Sequence, residues 1–269
     1  IVFLDDDITV PDPEDLRVAA GLTDEHAVVG LHVDGCPDNS VVCHAYREAN
    51  GPQGTFIGGG ALAVGAAATR SFFPNIYNED WFFLLDERGL LRPSALTGNV
   101  RQEEYNPFAK PQRARSEELG DLLAEGLFSL LDVGKTTRDA TYSFWRGFLG
   151  QRSRFISDVI TMVNGADLDE HRRAQMIAAL TAAKSQCVSI RADQCVRYLD
   201  AWRRDRIRWR RHLDAQYEKH GPHTRDSGAG IDKLLASLGL TDLAWTSRPQ
   251  RLDQDAADLD LPLPVAVGQ

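Results

Sequence analysis

The second half of the chain consists of helical patterns that follow one another with short breaks. Leucines recur every three or four residues between Glu117 and Leu131, the spacing that places apolar side chains on one face of a helix. Similar patterns cover residues 138–163, 169–188 and 190–219. They predict a mainly α-helical region over residues 116–246. The tail, residues 247–269, is rich in aspartate and carries prolines, and it is expected to be disordered.

The first 115 residues have a different, α/β pattern. The apolar run Ile1–Leu4 is followed directly by Asp5-Asp6-Asp7, which is typical of a buried, central parallel strand with acids at its carboxyl end. A helix start is expected at Asp12, and residues 27–33 are rich in strand-forming residues. Since the chain opens on a strand, we expect that sequence upstream of Ile1 has been lost.

Composition excludes several classes of protein. The hydrophobic fraction of 43% and the charged fraction of 26% are those of a globular domain. The net charge of −9 argues against general nucleic-acid binding. The four cysteines lack the CxxC spacing of a zinc site, so reduced thiols in a cytoplasmic protein are expected. No apolar run approaches the roughly 20 residues that span a bilayer.

The acids after the first strand are the strongest chemical signal. Three adjacent carboxylates repel one another, so they lower stability unless a cation offsets their charge. Alternate residues of a strand point the same way, and Asp5 and Asp7 would therefore share one ligand while Asp6 faces away. Mg²⁺ or Mn²⁺ bridged to phosphate oxygens suits such a pair. A solvated acidic turn is the alternative interpretation.

Three blocks together resemble the family 2 glycosyltransferases and their GT-A relatives. They are the strand with acids Ile1–Asp7, the glycine stretch from Phe56 to Ala61, and Glu79-Asp80-Trp81, about 70 residues past the acids. The resemblance covers residues 1–110 approximately. It implies an α/β fold in which residues 1–115 are the metal- and acceptor-binding half of a GT-A-like mixed sheet domain, followed by the helical region.

The resemblance also implies roles for particular residues. Asp5 and Asp7 would form the DxD-type motif that holds a divalent cation on the diphosphate of a nucleotide-sugar donor, with Asp7 the preferred direct ligand. Glu79 and Asp80 resemble the acidic pair that supplies the catalytic base. Gly58, Gly59 and Gly60 would lie beside the donor sugar. The acceptor, a carbohydrate or another molecule with a hydroxyl group, would meet the aromatic residues Phe72, Phe73, Tyr77 and Trp81. For each of these residues taken singly, core packing is the preferred interpretation.

One feature departs from the family pattern. Many metal-dependent relatives supply a further ligand, often a histidine, downstream of the acidic pair. Here no histidine occurs between His44 and His171. Glu103 and Glu104 are candidate substitutes, although surface acids are the preferred interpretation of these two residues.

Residues 1–9 also fit a second enzyme class, the haloacid-dehalogenase-like phosphatases, which use Mg²⁺. Asp5 would then be the nucleophile, Asp7 the general acid and base, and Thr9 a phosphate contact. Against this, Ile8 follows Asp7 where a glycine is usual. A later Gly-Asp-x-x-x-Asp motif is also missing from the sequence.

A third interpretation is a non-enzymatic helical interaction module. The segment from Arg197 to His212 is rich in arginine, with Trp202 and Trp209 seven residues apart. Such a helix would dock on an anionic membrane or another polyanion. The competing interpretation is a solvated basic face with two core tryptophans.

Overall fold

The computed structural model describes residues 1–35, 39–52, 54, 57–86, 89–90, 94–220 and 265–266. It divides into two compact units, residues 1–206 with 264–269, and residues 207–263. The expected boundary at residue 115 falls inside a helix of the first unit, which therefore contains the sheet and most of the helical region. Of the second unit, the structure describes the helical residues 207–220.

Strands and short helices alternate in the first part of the chain. In chain order they are β1 (Val2–Leu4), β2 (Ile8–Thr9), α1 (Pro13–Leu22), β3 (Val28–Gly35), α2 (Val41–Glu48), β4 (Ala61–Val64), α3 (Glu79–Phe83) and β5 (Ser94–Gln102), with a 3₁₀ turn at Ala66–Arg70. Helix α1 begins where the sequence predicts, because the Asp12 side chain accepts a hydrogen bond from the Glu14 N–H at 2.9 Å.

Long helices follow, as the periodicity predicts. They are α4 (Pro111–Asp132), α5 (Tyr142–Gly165), α6 (Glu170–Ser189) and α7 (Ala192–His220), with a 3₁₀ turn at Thr137–Asp139 before α5. The tail expected to be disordered lies outside the described residues except for Val265–Ala266, which form strand β6. In the described part of the chain, no helix has the length and apolar composition needed to cross a membrane.

The strands form one mixed sheet, as predicted, in the order β1-β4-β3-β5-β2, with β6 also paired to β5. Strands β3 and β5 are parallel, whereas β4 is antiparallel to both β1 and β3. It follows that β1, β3 and β5 run in the same direction and end at one edge of the sheet, where β4 begins. In open α/β sheets, ligands bind outside the carboxyl ends of the strands.

The prediction that β1 is a buried central strand was wrong. Among the described strands β1 pairs with β4 alone, in antiparallel register, and it therefore lies at the end of the sheet. Its side chains remain 37–43% exposed, and Ile1 is 70% exposed. A short apolar run predicts a strand but does not show how many neighbours the strand has.

The connection between β1 and β2 shows that the sheet is curled. These strands lie at opposite ends of the sheet order, about 19 Å apart in a flat sheet. Yet Ile8 is only four residues after Leu4 in the chain, and a fully extended stretch of this length spans about 14 Å at most. The sheet must therefore bend until its two ends approach each other. This bend carries Asp5, Asp6 and Asp7 across the edge where β3 and β5 end.

Separate apolar clusters hold the layers together. Val28, Leu62 and Leu96 belong to a cluster on one face of the sheet. Val29 and Leu31 point to the opposite face and pack with residues of α1. The largest cluster joins α4, α5, α6 and α7 to α2 and to Phe82 of α3. Helix α3 is thus anchored in the helical layer while its first turn faces the sheet edge.

Candidate active site

A cavity of about 630 Å³ opens at the edge where β1, β3 and β5 end. It is lined by residues from the acidic turn, the glycine stretch and α3, which are far apart in the sequence. The predicted site residues among them are Asp5, Gly58, Gly59, Gly60, Glu79, Asp80 and Trp81. The structure therefore brings together the three blocks on which the family resemblance depends, although Phe56 lies outside the described residues.

The acids after β1 do not alternate as the strand pattern predicts. Strand β1 ends at Leu4, and the following residues form a turn. Asp5 lines the large cavity, whereas Asp7 lines a neighbouring cavity of about 330 Å³. Asp5 and Asp7 therefore approach the site from a turn and not from one face of a strand.

Gln102 connects the two cavities and was not foreseen from the sequence. Its side chain is 4% exposed, lines both cavities and donates a hydrogen bond from Nε2 to Asp7 Oδ2 at 3.0 Å. The neighbouring Glu103 N–H donates to the Asp7 carbonyl at 3.1 Å. The end of β5 thus fixes the position of Asp7. Its place at the end of a strand, next to two acids, is the sequence signal that could have indicated Gln102.

The candidate substitutes for a third metal ligand lie at the surface, which confirms the preferred interpretation of them as surface acids. Glu103 and Glu104 are exposed and line the smaller cavity beside Asp7. They do not belong to a group of three or more His, Cys, Asp or Glu ligand atoms within 4.8 Å. Among the described residues, the only such group is Cys43, Asp121 and Glu125. There the Arg152 guanidinium already pairs with both acids, which makes a cation site unfavourable.

Asp5, Asp7 and Gln102 carry the oxygen ligands that a hard divalent cation prefers, but Asp5 and Asp7 line two different cavities, and Gln102 alone lines both. The three residues offer two carboxylates and an amide, and Mg²⁺ is commonly held by one or two carboxylates together with water and substrate phosphates. Such a site does not require a third acidic ligand from the protein.

Glycine allows the 58–60 turn to approach both groups of acids closely. The Gly59 N–H donates to Asp80 Oδ2 at 2.7 Å, and a Cβ at Gly59 would lie 2.5 Å from the Asp80 Cβ. On the other side, the Gly60 carbonyl accepts a hydrogen bond from the Asp5 N–H at 3.0 Å. Any larger residue at Gly59 would push Asp80 away, since real Cβ atoms do not approach so closely.

Helix α3 presents the acidic pair in its first turn. Glu79 is exposed and Asp80 half-buried. The preceding residue, Asn78, adopts a left-handed conformation with φ 61° and ψ 36°, which is uncommon for residues other than glycine. Its Nδ2 donates to Asp121 Oδ1 of α4 at 3.1 Å. Asn78 also lines the cavity and was not foreseen from the sequence.

Aromatic side chains form one wall of the cavity. Phe73, Tyr77 and Trp81 line it as expected, and Phe3 joins them. Phe73 stacks on Phe83 with ring centroids 4.3 Å apart and keeps 36% of its surface exposed. Phe72 does not line the cavity and packs against the helical core, as the preferred interpretation of the single aromatic residues predicts.

The phosphatase interpretation gains no support from this geometry. It requires Asp5, Asp7 and Thr9 to act on one phosphate group. Thr9 lies in β2, where it pairs with Arg101, and it lines neither of the two cavities.

The arginine-rich helix is only partly a solvated basic face. Arg206 is 2% exposed, and its Nη1 donates to the Leu85 carbonyl, while its guanidinium lies 5.0 Å from the ring centre of the buried Trp202. Arg206 therefore belongs neither to a solvated basic face nor to an exposed docking surface. In the second unit, Arg208 and Arg211 are exposed and Trp209 stacks on His212.

Comparison with known proteins adds no family name. No family model, no curated protein and no solved structure matches this chain.

Proposed function

We propose that this chain carries the metal- and acceptor-binding part of a glycosyltransferase that uses a nucleotide-sugar donor. One observation carries the proposal, namely the gathering of Asp5, the glycine turn and Glu79-Asp80 around one cavity at the carboxyl edge of the sheet. Sugar transfer needs a group that stabilises the leaving diphosphate and a base near the acceptor hydroxyl. Asp5 and the Glu79-Asp80 pair face the same space and would supply these two functions, with Asp7 in the neighbouring cavity.

Asp5 and Asp7 are the residues that would hold a divalent cation, with Gln102 beside them. When bound, the cation would neutralise negative charge on the leaving diphosphate. Gln102 keeps the Asp7 carboxylate oriented through their hydrogen bond of 3.0 Å. Gly60 keeps the backbone of the acidic turn close to the start of β4.

Glu79 and Asp80 are the candidate bases. Both line the cavity from the first turn of α3, where a carboxylate is favoured by the helix dipole. A base in this position would accept the proton of the acceptor hydroxyl as the oxygen attacks the anomeric carbon. Asp80 has a second task, because its Oδ2 accepts from the Gly59 N–H and so fixes the glycine turn.

The aromatic wall suits a sugar. Aromatic rings offer flat apolar faces together with polar edges, and the faces of sugar rings bind to such surfaces. Phe3 and Phe73, which are 37% and 36% exposed, retain free ring surface within the cavity. We therefore place the acceptor along Phe73, Tyr77 and Trp81.

The first test is a donor screen. The protein is incubated with Mn²⁺ or Mg²⁺ and with UDP-, GDP-, ADP- and dTDP-sugars, with and without a panel of glycoside acceptors, and the released nucleoside diphosphate is measured. Release that depends on the cation and stops with EDTA supports the proposal. Hydrolysis of p-nitrophenyl phosphate without release from any nucleotide sugar would instead favour the phosphatase.

Site variants then separate the roles. Asp7→Ala should abolish cation-dependent transfer, whereas Asp167→Ala, at an exposed loop acid, should leave it unchanged. Glu79→Gln and Asp80→Asn should lower kcat by about 100-fold or more if the residue is the base, with a smaller effect on donor binding. An asparagine at position 80 keeps an oxygen for the Gly59 N–H. If both variants retain full turnover, the base assignment is wrong.

A further inference from the structure

Helix α4 carries a buried ion cluster directly behind the candidate site. Arg152 of α5 is 2% exposed and pairs with three acids of α4. It bonds Glu118 through two hydrogen bonds of 3.0 Å, Glu125 at 2.6 Å, and Asp121. Three carboxylates around one guanidinium satisfy its donors and hold the acids at defined positions. Asp121 is thus fixed from the helical side.

The other oxygen of Asp121 reaches the site. Its Oδ1 accepts from Asn78 Nδ2 at 3.1 Å, and Asn78 is the residue immediately before Glu79 and Asp80. Asn78 is held in the left-handed region, with φ 61°. A strained conformation of this kind persists only where surrounding contacts determine it. The bond to Asp121 is such a contact.

Two further contacts press α4 against the same turn. Gly120, next to Asp121, lies so close to the Tyr77 carbonyl that any Cβ would clash with it. About two turns of helix further on, Phe128 packs on Trp81 with ring centroids 4.7 Å apart. The segment from Tyr77 to Trp81 is therefore bound to α4 by a hydrogen bond, a close backbone approach and an aromatic contact.

We propose that Asp121, held in place by Arg152, is a positioning residue for the catalytic acids: it clamps Asn78 so that Glu79 and Asp80 face the cavity. This inference depends on the proposed function for its catalytic meaning. It assigns to α4 a role in the chemistry of the site, in addition to its place in the helical core. Asp121 itself does not contact the substrate, because its carboxylate is buried between Arg152 and Asn78.

The first experiment needs no activity. Asn78→Gly keeps a residue that tolerates positive φ but removes the side chain that binds Asp121. Asn50→Gly is a matched control, since Asn50 at the end of α2 also has a positive φ, of 62°. Hydrogen exchange is compared for peptides covering residues 78–85, where the Phe82, Leu84 and Leu85 amides donate to backbone carbonyls of the same segment.

We expect exchange of these amides to rise by about tenfold or more in Asn78→Gly. Peptides from β3 and β5 should be unchanged, and Asn50→Gly should match the wild type throughout. Asp121→Asn, which keeps an acceptor oxygen for Asn78, should give a smaller increase than Asp121→Ala. Unchanged exchange in Asn78→Gly would overturn the proposal even if the Asp121 variants fail to fold.

Kinetics then tests the positioning role. With an active donor, Asn78→Gly should lower kcat by about tenfold or more, while the dissociation constant of Mn²⁺ with the nucleoside diphosphate should change by less than about threefold. Equal kcat in Asn78→Gly and the wild type would refute it. If the wild type turns over no nucleotide sugar, the proposed function fails, and the exchange result still decides whether Asp121 holds the turn.

Discussion

The sheet edge and the helical region both contain clusters of acidic residues, but the two clusters differ in exposure and in pairing. At the sheet edge Asp5 and Asp6 are exposed, and Asp7 is half-buried. In the helical region Glu118 and Asp121 are 1% and 2% exposed and are paired with the equally buried Arg152. The comparison teaches that acids open to a cavity remain accessible to a ligand, whereas acids buried around a guanidinium are already paired within the protein.

The buried cluster contains more acidic groups than basic groups. One guanidinium faces three carboxylates, so protonation of one acid lowers the repulsion among them. Burial raises the pKa of Glu125 to about 7, and the charge of Asp121 contributes to the rise although Arg152 opposes it. Burial also raises the pKa of Glu118. Glu125 therefore gains and loses its proton near neutral pH.

The largest effect is expected on removing the central cation. Arg152→Met leaves the buried Glu118 and Asp121 without an opposite charge, and breaking a buried ion pair in this way costs about 3–5 kcal/mol of unfolding free energy. Urea denaturation measures the loss. The control is Arg172→Met, because Arg172 pairs with Glu48 where both side chains are about one quarter exposed, and a loss of about 1 kcal/mol is expected there. Equal losses would remove the distinction between buried and open charge.

The titration of Glu125 gives the next effect. The pKa of Glu125 is about 7 in the folded protein, whereas the ordinary value of 4.5 applies to the unfolded chain. Between pH 4.5 and pH 7 the folded state therefore binds a proton that the unfolded state has lost. Stability should therefore fall as the pH rises from 4.5 to 7. This fall should be absent in Glu125→Gln. The unfolding free energy of the variant minus that of the wild type should therefore be about 2–3 kcal/mol larger at pH 8 than at pH 4.5. Parallel stability curves for the two proteins would contradict the assignment.

The titration of His44 should have the opposite effect, a loss of stability as the pH falls. His44 is buried in α2, and its Nε2 lies 3.0 Å from Tyr105 Oη. Burial, together with the charges of nearby arginines, lowers its pKa from 6.5 to about 4. Its contribution to stability is therefore complete above pH 6.5 and is lost as the pH falls toward 4. His44→Gln should abolish this loss. Denaturation of both proteins at pH 4, 5.5 and 7 measures it, and between pH 7 and pH 4 the wild type should lose about 3 kcal/mol more unfolding free energy than the variant.

The periodic part of the fold was predictable from the sequence, and so were the segments of the site. Helices α4 to α7 follow from apolar spacing, which reports a local geometry. Asp5, the glycines and Glu79-Asp80 could be assigned to one site because their order resembles a known pattern. These are properties of single segments, and each can be recognised without its neighbours.

The contacts between segments could not be predicted in the same way. Glu118 and Asp121 occupy positions in α4 that are typical of surface acids, and their partner Arg152 lies 34 and 31 residues away. Asn78 and Asp121 are 43 residues apart. Whether a charge is buried depends on the packing of a second element, and no local pattern encodes that packing. The same reason explains why β1 was expected at the centre of the sheet.

Helix packing behind the site gives a smaller effect. Gly120→Ala should destabilise the protein by about 1–3 kcal/mol, because its Cβ meets the Tyr77 carbonyl. Gly147→Ala is the matched control, since nothing lies within 4 Å of a Cβ there, and alanine should stabilise α5 by up to about 1 kcal/mol. Thermal unfolding of both variants measures the difference. A stabilising Gly120→Ala would show that α4 is not held closely against the site.

The smallest effect on stability is expected at the residue that matters most for the proposed activity. Asp7→Asn removes a charge from a row of three acids but keeps an oxygen for Gln102 Nε2, which is 3.0 Å from Asp7 in the wild type. The lost repulsion offsets the weaker hydrogen bond, so the unfolding free energy should change by less than about 0.5 kcal/mol. Mn²⁺ binding, measured by calorimetry with a nucleoside diphosphate present, should weaken by about tenfold or more, since a neutral amide is a poorer ligand for a hard cation. A large loss of stability with unchanged Mn²⁺ binding would place Asp7 with the structural acids of the helical region and would reverse the comparison.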